Sequence, residues 1–171
     1  MAWIFGLSAE CGDKRSAEVL AFHFQYWWIW LKTNDNYQIR VDTFQDIENN
    51  WWCRVYSDNI SGVGIDSLES ANLMTELGSL LYQDLRLYTN FPYTKFRYAL
   101  VGVEVDEFRT YRELIEDLPN LSIPGLVLST EITQGLETLS GFQEFISGYI
   151  WQPYKEARRT RRNESLRDFL R

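Results

Sequence analysis

The chain is expected to fold as an α+β domain: an antiparallel or mixed β-sheet of about five to six strands, with one long helix and one or two short helices packed on one face. Three observations predict it. Period-two runs follow one another across short polar loops in the first 57 residues, one long segment after Ser67 switches to a three- and four-residue period, and a further apolar run follows a proline break. With 171 residues and 45% hydrophobic content, one domain can bury its core without disulfides or a metal.

Ala2 to Leu7 reads as a first strand, and Ser8 to Ser16, with Gly12 among charged residues, as a loop. The stretch LAFHFQYWWIWLKTNDNYQIRV, from Leu20 to Val41, then packs three of the seven Trp into four positions. As a helix it would align Leu20, Phe24, Trp27, Trp28 and Leu31. As a strand it would align Leu20, Phe22, Phe24, Tyr26, Trp28 and Trp30, opposite Ala21, His23 and Gln25. The strand pattern is the more regular and uses residues enriched in strands. Thr33-Asn34-Asp35-Asn36 suits a hairpin loop, because Asn and Asp bond local backbone. Residues 19 to 44 are therefore read as a long antiparallel hairpin, and Trp51 to Ser57 as a further strand.

Leu68, Ala71, Met74, Leu77, Leu81, Leu85 and Tyr88 recur at three and four residues, which predicts the long helix, with Asp66 or Ser67 as its cap. Lys95 to Val105 reads as a central strand, apolar on both faces. Glu107 to Leu118 reads as a short helix and Leu126 to Ser129 as a strand. Residues 1–154 form the expected domain, and 155–171 a basic, partly helical tail.

Composition limits the function. Residues 1–154 carry 10 basic and 21 acidic side chains, net −11, whereas 155–171 carry 7 and 3, net +4. So acidic a body argues against nucleic acid as the partner, since phosphate binding needs cations that release counterions. The cluster Arg158, Arg159, Arg161 and Arg162 is the one basic contact candidate; its simplest reading is a tail lying on its own acidic surface or a neighbouring subunit. A bilayer span needs about 20 mostly apolar residues, and the aromatic run is interrupted by Glu18, His23 and Gln25, so no membrane span is expected. The N-terminus lacks the order of a secretory signal, which points to a cytoplasmic protein. Cys11 and Cys53, the only cysteines, stand outside any C-x-x-C pair, and with one His they supply no metal site; no cofactor motif is present.

Candidate sites rank as follows. From Trp27 to Leu31 the strand reading leaves both faces apolar, so Trp27, Ile29 and Leu31, with Trp51 and Trp52, form a candidate interaction surface covered by a helix, a second copy or a partner. Glu104, Asp106 and Glu107 follow an apolar strand, and carboxylates there can hold a divalent ion or act as acid and base. Gly62-x-Gly64 lacks the third glycine and the Gly-Lys-Ser/Thr of phosphate loops; Asp58 and Asp66 flank it. Cys11 beside Lys14 and Arg15 would favour thiolate, but a nucleophile also needs a base, and the lone one, His23, is expected on a half-buried sheet face; Cys11 therefore reads as a structural or incidental cysteine. The expectation is a non-enzymatic regulatory or accessory factor that binds another protein or itself. The rival is a small enzyme or ligand binder using Glu104 and Asp106.

Overall fold

The computed structural model describes residues 4–31, 39–58, 68–136 and 139–154, and the side chains of these except 27–31, 69 and 70. The order of elements is β1 (Phe5–Gly12), α1 (Lys14–Leu31), β2 (Ile39–Gln45), β3 (Trp51–Ser57), α2 (Leu68–Tyr88), β4 (Tyr98–Val103), α3 (Tyr111–Asp117), a 3-10 turn (Leu118–Asn120), β5 (Val127–Ser129), β6 (Gln143–Ile146) and β7 (Tyr149–Trp151). Among the described residues the strands form one sheet in the order β2-β3-β1-β4-β5-β7-β6, and every pairing is antiparallel. The first six elements follow the split β-α-β scheme, in which β3 lies next to β1 and separates it from β2. The last three strands extend the sheet beyond β4.

The α+β class holds, with seven strands rather than five or six and two long helices rather than one among the described residues. The helix read from Leu68 spans Leu68–Tyr88. The hairpin expected over residues 19 to 44 does not form: its first arm is α1, and among the described residues of that span the strand begins at Ile39 (Ile39–Gln45). Burial explains the helix. Ala17, Leu20, Ala21 and Phe24 are buried at helical spacing, and the Asp13 carboxylate accepts from the Ser16 amide at 2.9 Å and the Ser16 hydroxyl at 2.8 Å, which starts the helix. Side-chain preference for strand yields to this tertiary context.

The loop expected over Ser8 to Ser16 is also corrected, because β1 runs on to Gly12. Its alternate residues Phe5, Leu7, Ala9 and Cys11 enter one core with Cys53, Val55, Ala99, Val101 and Val127, under α1 and α2. The opposite face holds a second core, where Trp52, Tyr98, Leu100 and Leu128 meet Leu114 and Leu118 of α3 and the turn after it. Helices thus lie on both faces, not one. The register of β1 against β3 shifts between Glu10 and Gly12, a bulge whose residue Gly12 sits at φ 78. That bulge ends the strand and turns the chain into α1.

α3 is short and depends on its first turn. Thr110 Oγ1 accepts from the Glu113 amide, and the Glu113 carboxylate accepts from the Thr110 amide at 2.9 Å, a reciprocal capping box. Thr110→Ala is expected to lower stability by about 1 kcal/mol in urea unfolding.

Candidate functional site

Trp52 is a core residue: it is fully buried, donates its indole N–H to Asp46 Oδ2 at 2.8 Å, stacks on Phe44 and meets Tyr98 and Phe108 edge-on. It therefore leaves the candidate interaction surface. Trp51 points to the opposite face and is half-buried, with the Lys14 ammonium 5.4 Å from its ring centre. Trp27, Ile29 and Leu31 lie on α1, not on a strand, and their side chains fall outside the described residues.

The aromatic surface that does form is carried by the outer side of α1. Val19, Phe22 and Tyr26 recur at helical spacing and are exposed, Phe22 at 68% and Tyr26 at 56%, with their two rings stacked 6.3 Å apart. The segment after α2 adds Phe91 and Tyr93; Tyr93 is 95% exposed at φ 69, an uncommon left-handed conformation for a bulky residue. An open cleft of about 620 Å³ joins the two elements, with Arg15, Val19, Tyr93 and Lys95 in its walls. Single exposed apolar residues are ordinary; here several large ones gather on neighbouring elements.

Beneath this surface a polar pair fastens α1 to α2. His23 Nε2 lies 3.0 Å from Asp84 Oδ1, and the Asp84 side chain is fully buried. Rings of Phe24, Tyr88 and Phe91 surround the imidazole. Burial pushes the Asp84 carboxyl above the ordinary carboxylate range, and His23 pulls it back. His23 is thus a helix residue facing α2, not the half-buried sheet residue expected.

The acidic candidates separate. Asp106 is tied into an ion-pair chain, accepting from Ser8 Oγ at 3.0 Å and from Arg54 at 2.5 Å, while Arg54 also grips Asp42 at 2.6 and 3.0 Å. A carboxylate so engaged already has its hydrogen-bond partners within the protein. Glu104 and Glu107 are exposed, both at positive φ, in the turn leaving β4. Among the described residues no group of three or more His, Cys, Asp or Glu side chains could hold a metal ion. Asp58 is paired with Arg40. Gly62, Gly64, Asp66 and the cluster Arg158, Arg159, Arg161 and Arg162 lie outside the described residues.

Cys11 has no activated thiol, in keeping with the structural or incidental cysteine expected of it. Its thiol is buried against Ala9 O, and burial foremost, then the neighbouring Cys53, drives its pKa well above the ordinary value. Both cysteines are free. No helix among the described residues is long and apolar enough to cross a membrane.

Sequence reasoning missed Val19, Phe22, Tyr26, Phe91 and Tyr93. The helical reading of the aromatic run would have separated buried Leu20 and Phe24 from exposed Phe22 and Tyr26. Comparison with family models, with curated proteins and with solved structures finds no match to this chain.

Proposed function

We propose that the chain is a non-enzymatic protein-binding factor, of regulatory or accessory type, which engages its partner through the outer face of α1 and the segment after α2. The observation that carries this reading is the gathering of Val19, Phe22, Tyr26, Phe91 and Tyr93 on the surface of an acidic protein. Aromatic side chains supply large contact area at low conformational cost, and they are the anchors on which interfaces rely. The arrangement below them favours the same reading. His23 and Asp84 fasten the two helices, so the exposed rings stand on a preorganised platform and lose little freedom on docking.

Photocrosslinking tests it. A benzophenone side chain in place of Tyr26 or Tyr93 is expected to capture a discrete protein species in cells of the source organism, whereas the same group in place of exposed Glu76 is not. Equal, diffuse labelling from all three positions would reject the reading.

A further inference from the structure

We propose that β2 is a strand-addition edge at which a second copy of this chain pairs antiparallel, with the two-fold axis at Val41. The proposal goes beyond the protein-binding reading above, because it concerns a different surface, the sheet edge rather than the outer face of α1. Among the described residues β2 is the outermost strand on its side of the sheet, and its other side is in register with β3 from Ile39↔Ser57 to Gln45↔Trp51. The hairpin amide of Asp46 bonds Asn50 O at 3.0 Å. Alternation along an antiparallel ladder then turns the backbone groups of Phe44, Asp42 and Arg40 toward β3. Those of Thr43, Val41 and Ile39 point away from the sheet, as strand addition requires.

The side chains select the register. A two-fold axis at Val41 sets Val41 against Val41 of the second copy, Ile39 against Thr43, and Arg40 against Asp42. Two opposite-charge cross-strand pairs result, one on each side of the axis. A shift of the axis to Thr43 would instead oppose Asp42 to Phe44 and Arg40 to Asp46, whose carboxylate is buried and already accepts from Glu48, Asn50 and Trp52. Arg40, paired with Asp58, and Asp42, paired with Arg54, still expose 65% and 39% of their side chains, so each can add the contact as a second partner. The pairing would extend the charge chain already present, from Asp106 through Arg54 and Asp42 to Arg40 of the second copy. Charged residues on an edge often block pairing; here their alternating sign makes the edge complementary to itself.

The other face of the edge is prepared as well. A groove of about 320 Å³ runs between α1 and β2, lined by Ala21, Phe22 and Gln25 on one side and Val41 and Thr43 on the other. A strand added to β2 would lie along this groove and carry its own α1 to the far side of the axis. The exposed Phe22 stands at that boundary.

Sedimentation velocity from low to high micromolar concentration tests the proposal on the full chain. The parent chain is expected to show a monomer–dimer equilibrium. Val41→Pro removes an outward amide and is expected to abolish the dimer, with circular dichroism unchanged. Arg40→Asp sets like charges opposite one another twice and is expected to weaken the dimer about tenfold or more, and Arg40→Lys to leave it near the parent value. If Val41→Pro fails to fold, the Arg40 pair decides. A parent chain that stays monomeric throughout overturns the proposal, as does a dimer that Arg40→Asp leaves unchanged. In either case discrete crosslinks from Tyr26 or Tyr93 positions would keep the protein-binding reading, and their absence would remove both.

Discussion

Arg97→Met is expected to destabilise the protein by about 3–5 kcal/mol at neutral pH, the range found when one partner of a buried ion pair is removed. Glu10 lies in the middle of the sheet with its side chain fully buried, and Arg97 clasps it with two bonds of 2.6 Å. The Gly12 amide adds a third at 2.8 Å, and the ring of Tyr111 supports the guanidinium at 3.7 Å. Burial foremost holds the Glu10 carboxyl above the ordinary carboxylate range, while Arg97 and the Gly12 amide draw it down. Without Arg97 its pKa rises further. Between the unfolded and folded values the native state then holds more protons than the unfolded chain, so stability falls as pH rises through that window. The loss relative to the parent should therefore be largest at neutral pH and shrink toward about pH 4–5, where a neutral Glu10 needs no cation. Urea unfolding of both proteins at the two pH values measures this. An equal loss at both would mean that packing of the arginine stem, not charge, holds the site. Adding Glu10→Gln to Arg97→Met should recover part of the neutral-pH loss.

The same pair explains why β1 was half hidden in the sequence. Ser8 and Glu10 stand at the alternate positions, where polar residues predict a solvent face, and both are buried only because Asp106 and Arg97, 98 and 87 residues away, satisfy them. Local pattern carries no trace of such partners. α2 was legible because its apolar positions hold a helical period from Leu68 to Tyr88 with polar residues between them. α1 was not, because rings at nearly every position from Phe22 to Trp30 satisfy a period of two and a period of 3.6 alike. The residues that decide it are small or polar: Asp13 and Ser16 at the start, Ala17 and Ala21 against the sheet. β6 and β7, four and three residues long, are too short to display a period. Phe22 and Tyr26 of the proposed surface belong to the aromatic run, where the strand reading set them on one face with Leu20 and Phe24, which the helix instead buries.

Trp51 and Trp52 put this distinction to a direct test, because adjacent identical side chains on β3 face opposite sides of the sheet. Trp52→Ala is expected to cost about 3–5 kcal/mol, the range for emptying a fully buried aromatic site. The indole fills the second core between Phe44, Tyr98 and Phe108, and no small movement of three rings closes the void. Its loss also removes one of the three donors to Asp46, which accepts from the amides of Glu48 and Asn50 as well. Asp46 shapes the turn joining β2 to β3, so the damage should spread to the β2 edge. Trp52→Phe keeps most of the ring volume but not the N–H, and should fall between parent and Trp52→Ala. Trp51→Ala, at a half-buried site whose partners include the Lys14 ammonium, should cost about 1 kcal/mol or less. Urea unfolding followed by circular dichroism ranks the three variants without relying on tryptophan fluorescence. Equal costs at the two positions would contradict the assignment of Trp52 to the core. A large gap, with photocrosslinking from Tyr26 or Tyr93 positions retained in Trp51→Ala, would place the binding surface on α1 and the segment after α2 rather than on β3.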